Sequence, residues 1–203
     1  MPTISIEPGF IINVLSVLWC SYSFSKFLDH RKSVGLVSRV IDTISASFLV
    51  FAGSFAHELA HYFVARLVGI PLSNEIALTG LGMRIGFLDP EELQLNIQFL
   101  AVAAAGPIMQ LIVAGMFFSK RHIAFRSAAL LSLAVGFYNL LPFSDLDGGK
   151  ILAVILTLIG YSADTVYYIS YLPLLRPIAQ VISIGIVLFA LHIAKSHTHP
   201  TEA

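Results

Sequence analysis

Apolar residues in this chain come in long unbroken runs rather than at a strand or helix period. Pro8 to Ser25 carries no formal charge, and from Thr43 to Ala65 the only one is Glu58. Leu93 to Ser119 is again uncharged. Ser127 to Leu141 makes a shorter run closed by Pro142, Ile151 to Ala163 a fifth, and Ile178 to Ala194 a sixth behind Pro173 and Pro177. A membrane span needs about 20 apolar residues, so these runs predict about six transmembrane helices. The second extends from about Val40 to Val68, where Gly69 and Pro71 stop it. Ser73 to Leu88 differs in kind. It is dotted with Gly80, Gly82 and Gly86 and alternates loosely through Ile76, Leu78, Leu81, Met83 and Ile85, which predicts one or two short strands or an extended loop. Asp89, Pro90, Glu91 and Glu92 then read as a helix start. The expected fold is an all-α membrane protein, one domain over residues 1–203, with a short extended or β segment between the second and third helices.

Composition narrows the setting. Of 203 residues, 57% are hydrophobic and 12% charged, and the mean hydropathy is +0.83. Soluble domains carry about 25% charged residues, so the expected surroundings are a lipid bilayer, most simply the cell membrane. Twelve basic residues balance twelve acidic ones, and no basic block suggests a nucleic-acid partner. Cys20 is the single cysteine, which excludes an intrachain disulfide and a Cys-rich metal site. Glu7 and Pro8 precede the first apolar run without a basic leader, so that run is expected to be a retained span.

Inside the second run stands His57-Glu58-Leu59-Ala60-His61. Ionisable groups at such a place are costly and are kept for function. Residues four apart share a helix face, about 5–6 Å apart at Cβ, so His57 and His61 can present imidazoles to one metal ion. Glu58 lies about 100° round the helix from His57, badly placed as a third ligand but able to reach a water at the metal. This is the spacing of a zinc hydrolase with Glu58 as general base. Catalytic zinc takes three protein ligands, and the candidates for the third are Asp145, Asp147, His122, His192, His197 and His199. Spans two and four run in the same direction. His57 and His61 sit in the C-terminal half of the second span, and Asp145 and Asp147 follow the end of the fourth. Both sets therefore fall in one half of the bilayer, the aspartates in a polar break where Pro142 ends helical pairing and Gly148 and Gly149 let the backbone turn sharply.

With these residues the chain resembles the site-2 proteases, a family of zinc-dependent intramembrane proteases. His57 to His61 fits the family's HExxH helix. Asn139, Pro142, Asp147 and Gly148 fit its NxxPxxxxDG motif, and Gly106-Pro107-Ile108-Met109-Gln110 is similar to its Gly-Pro stretch, with Gln110 where the family carries asparagine. The resemblance implies one catalytic zinc on His57, His61 and Asp147, with Glu58 as base and Asn139 contacting the substrate carbonyl. It implies a substrate that is the transmembrane helix of another membrane protein. No accessory module is legible within 1–203, so control would fall to a regulatory membrane partner, an oligomer or a prior cut of the substrate.

Two further expectations concern sidedness and water. The family turns its zinc site to the cytosol. Yet Lys26, Arg31, Lys32, Arg39, Lys120, Arg121, Arg126 and Arg176 lie opposite the site, against Arg66, Arg84, Lys150 and Lys195 beside it. Basic residues favour the cytosolic side, so charge and family point opposite ways. Ser45, Ser47, Ser54 and the Asp145 loop are candidates to line a water path. The rival function is a membrane metal-ion binding or transport protein. It has no need of Glu58 at this offset, and such proteins usually carry repeated halves.

Overall fold

A computed structural model describes residues 3–28, 35–79, 82–87, 96–143 and 146–162. The sixth apolar run, the acidic stretch 89–92, Asp145, His192, His197 and His199 lie outside the described residues. The chain opens with β1 (Thr3–Ile6) and α1 (Gly9–Leu28), followed by α2 (Leu36–Val68). A hairpin pair, β2 (Leu72–Thr79) and β3 (Gly82–Phe87), precedes α3 (Ile97–Phe118), α4 (Ile123–Asn139) and α5 (Asp147–Leu158).

This is a mostly helical membrane protein. Among the described residues α1, α2 and α3 are long and apolar enough to cross a bilayer, and α4 is a shorter apolar helix. The 33 residues of α2 rise about 50 Å, more than the roughly 30 Å of a hydrocarbon core. Side-chain size runs inside out. The buried positions are filled largely by Ala46, Ala60, Ala103, Ala114, Ala128 and Ala129, while Ile11, Trp19, Phe48, Phe63, Ile112 and Met116 face outward. Small residues let helix backbones approach where lipid supplies no hydrophobic drive. Ser25 on α1 and Ser127 on α4 meet there, with their hydroxyls 3.2 Å apart.

The extended segment between the second and third spans is a β-hairpin, as one of its two readings expected. It is part of a three-stranded sheet in the order β1-β2-β3. β3 pairs antiparallel with β2, and β1 pairs parallel with it, Thr3 opposite Glu75 and Ile6 opposite Leu78. The four-residue β1 was not expected; Thr3-Ile4-Ser5-Ile6 alternates, but over too few positions to stand out from the span that follows.

Two helix starts differ from expectation. α4 begins at Ile123, four residues before the apolar run Ser127 to Leu141, because the His122 ring accepts a hydrogen bond from Ala124 N–H and caps it. Asp147 is not in an irregular break but in the first turn of α5, where a carboxylate is favoured by the helix dipole.

Candidate metal centre

α2 and α3 lie antiparallel along a common seam, and three contacts fix the register. His61 meets Val102, His57 and His61 meet Gly106, and Gly53 meets Gln110. Each pairing steps four residues up one helix and down the other, so both helices present one face for about two turns.

The His57 and His61 rings pack edge to face, centroids 4.8 Å apart, and their Nε2 atoms converge to 3.1 Å. The Asp147 carboxylate arrives from α5, its Oδ2 3.0 Å from His57 Nε2 and 3.3 Å from His61 Nε2. His57 and Asp147 are 4% and 6% exposed. The aspartate's second oxygen accepts from Lys150 Nζ at 3.2 Å. On the other edge of His61, Nδ1–H donates to the Val102 carbonyl at 2.7 Å. That bond sets the tautomer and leaves the Nε2 lone pair facing the triangle.

The donor set fits a divalent ion. Ligands at about 2.0–2.1 Å in a tetrahedral zinc site stand about 3.3–3.4 Å from one another. The three edges here, 3.0, 3.1 and 3.3 Å, are close to one face of that tetrahedron. Protons alone cannot satisfy the triangle. His61 Nε2 and Asp147 Oδ2 are both acceptors, and His57 Nε2 can donate along one edge only. A cation satisfies all three at once.

Gly106 makes the cradle. A Cβ at this position would run into Nε2 of both histidines, so α3 can approach the metal face only through a residue without a side chain. Gly106→Ala is therefore expected to displace the rings and cost at least tenfold in zinc affinity, read by chelator competition. Gly148 has the same role beneath Asp147. Its Cβ would meet the Leu140 and Leu141 carbonyls, which is how α5 closes against the end of α4.

Glu58 is half-buried, and its carboxylate lies with the two histidine nitrogens inside a 4.8 Å span. That is looser than the triangle closed by Asp147, which suits a residue beside the ion rather than on it. Asn139, at the C-terminus of α4, lines a cavity of about 870 Å³ between α1, α2 and α4, together with Ser54 and with Leu146, the neighbour of Asp147. The lining is overwhelmingly apolar.

Among the remaining candidates, His122 is excluded as a ligand. It caps α4 and its Nε2 lies 3.7 Å from Asp42, fifteen residues or about 22 Å along α2 from His57. The Ser47 hydroxyl donates to the Thr43 carbonyl one turn back at 2.9 Å, the backbone bond that small hydroxyls in helices commonly make. Lys150, the Val102 carbonyl and the steric role of Gly106 were not read from the sequence. For Lys150 the signal was its i,i+3 spacing from Asp147; the other two arise only when α3 packs on α2.

No protein-family model matches the chain. A curated zinc metalloprotease of Methanocaldococcus jannaschii is 30% identical over 118 residues, covering 54% of this chain and 33% of the relative. A protein of Mycobacterium tuberculosis named "Putative zinc metalloprotease Rip3" is 30% identical over 168 residues, covering 70% of this chain and 40% of its own length. The chain thus spans less than half the length of these curated relatives. The solved structure of a site-2 protease from M. jannaschii, 22% identical, matches 98% of this chain and 92% of its own with a TM-score of 0.54, so the fold is shared. The chain is thus similar to proteins named as zinc metalloproteases, shares the fold of a site-2 protease, and brings Asp147 to a His-Glu-His helix.

Proposed function

We propose that residues 1–203 form a single multi-pass unit of about six spans in the cell membrane. It is a zinc-dependent endopeptidase that cuts a peptide bond within or near the transmembrane helix of another membrane protein. The observation that carries this reading is the triangle of His57 Nε2, His61 Nε2 and Asp147 Oδ2 with the Glu58 carboxylate beside it. The relatives named as zinc metalloproteases support zinc as the ion.

His57, His61 and Asp147 would hold the zinc, which when bound supplies Lewis acidity toward the scissile carbonyl and acidifies water. Glu58 takes the proton of the attacking water and returns it to the departing amine, restoring its own charge. Lys150 and the Val102 carbonyl hold Asp147 and His61 in orientation. The Asn139 side-chain amide donates to the substrate carbonyl as charge develops on its oxygen. A transmembrane helix hides its carbonyls in its own hydrogen bonds, so the substrate must unwind locally at this depth.

Purified protein in detergent, given a model single-span substrate, is expected to cleave it, to lose cleavage with a zinc chelator and to regain it with zinc. Zinc flux into liposomes without cleavage would instead identify an ion transporter.

A further inference from the structure

Directly beside the metal cradle, the seam between α2, α3 and α4 holds polar groups that the hydrolytic site does not use. Gln110 and Ser132 are both 0% exposed. Neither amide atom of Gln110, nor the Ser132 hydroxyl, nor Nδ1 of His57 finds a hydrogen-bond partner among the described residues. Buried polar groups are nearly always satisfied, by protein or by ordered water. These lie in adjacent turns. A Cβ on Gly53 would sit 3.4 Å from Ser132 Oγ and 3.6 Å from Gln110 Nε2, so both side chains converge on the bare backbone of α2. Gly53 precedes His57 by one turn on the same face, about 6 Å of rise. Two hydrogen bonds of about 2.8 Å through one water cover that span.

We propose that Gln110 is a positioning residue for the metal centre, orienting His57 through a buried water that it holds together with Ser132. With Nε2 of His57 turned to the metal face, the neutral ring carries its proton on Nδ1, which donates to the water. The water donates to Gln110 Oε1 and accepts from the Ser132 hydroxyl, so it joins groups that have no direct partner among the described residues. Gly53 and Gly136 provide the room. A Cβ on Gly136 would stand 3.2 Å from Gln110 Cγ, so the long amide side chain passes where only a glycine lies opposite. Partners of this kind behind a metal-bound histidine set ring orientation and ligand strength. This inference rests on the zinc reading of His57, His61 and Asp147.

The test measures the zinc dissociation constant by chelator competition, and the melting of the metal-free protein, for the wild type, Gln110→Met, Gln110→Asn, Ser132→Ala and the double variant Gln110→Met with Ser132→Ala. Methionine keeps the length and volume of glutamine without its amide. The expected result is a zinc affinity about 10–100-fold weaker in Gln110→Met, recovered in Gln110→Asn. Ser132→Ala weakens it less, and the double variant is no worse than Gln110→Met alone, as for groups acting in one network. Zinc affinity unchanged in Gln110→Met, with the metal-free protein melting higher because an idle buried amide is gone, overturns the proposal. If Gln110→Met does not fold, unchanged zinc affinity in Ser132→Ala overturns it and weakened affinity supports it. A wild type that binds no zinc contradicts the metal reading itself, and this proposal with it.

Discussion

Glu58→Gln is expected to bind zinc as the wild type does and to cut a model transmembrane substrate about 10²–10⁴-fold more slowly, the usual worth of a general base. That corresponds to about 3–5 kcal/mol of barrier. Glutamine keeps the volume and the hydrogen-bonding edge of glutamate, so the packing of α2 is unchanged. What is lost is the basic oxygen that takes the proton from water. The prediction separates the two roles in the His-Glu-His run. The histidine nitrogens and Asp147 Oδ2 close a triangle of 3.0–3.3 Å edges, while Glu58 belongs to a looser group spanning 4.8 Å. A metal assay on the purified variant beside a cleavage assay decides it. Loss of zinc would make Glu58 a ligand, and wild-type cleavage would exclude it as the base.

Asp147→Asn is expected to have the complementary effect, losing zinc and cleavage together. Removing a group that merely supports a ligand costs about 10–100-fold in metal affinity, so losing the anionic ligand itself should cost at least about 100-fold. The amide can still hydrogen-bond His57, and Lys150, about a third exposed, keeps its solvation, so the metal-free protein should stay folded. Chelator competition and thermal melting together check this. Zinc affinity within a few-fold of the wild type would contradict the assignment.

These two residues show how unevenly the site could be read from sequence. The group of His57, Glu58 and His61 was legible because its geometry is local: one helix fixes the spacing, and lipid makes a casual charge there too costly. Asp147 is 90 residues from His57, and no periodicity joins them. Span parity expected the Asp145–Asp147 stretch at the level of the histidines, and Asp147 Oδ2 does lie 3.0 Å from His57 Nε2; the choice of Asp147 came from the resemblance to the family's motif. Packing alone reveals Gly106, the Val102 carbonyl and Lys150, since each acts only once α3 or α5 closes on α2.

The same division holds for the fold. The long spans were legible because a bilayer demands unbroken apolar sequence, and α1, α2 and α3 fall where the uncharged runs lie. Shorter elements were displaced by tertiary effects. His122 caps α4 with its own ring and draws Arg126 into the helix, although both precede the apolar run that starts at Ser127. Gly148 and Gly149 read as a turn yet are helical, because the Leu140 and Leu141 carbonyls leave no room for a Cβ at 148. β1 exists because β2 offers it an edge.

The central claim is that His57, His61 and Asp147 jointly hold one zinc, and X-ray absorption at the zinc edge of the purified protein tests it most directly. The expected spectrum corresponds to one zinc per chain with nitrogen and oxygen neighbours at about 2.0–2.1 Å and the outer-shell scattering of two imidazoles, a pattern lost or altered in Asp147→Asn. A metal-free protein, or a spectrum unchanged by that substitution, would contradict the account.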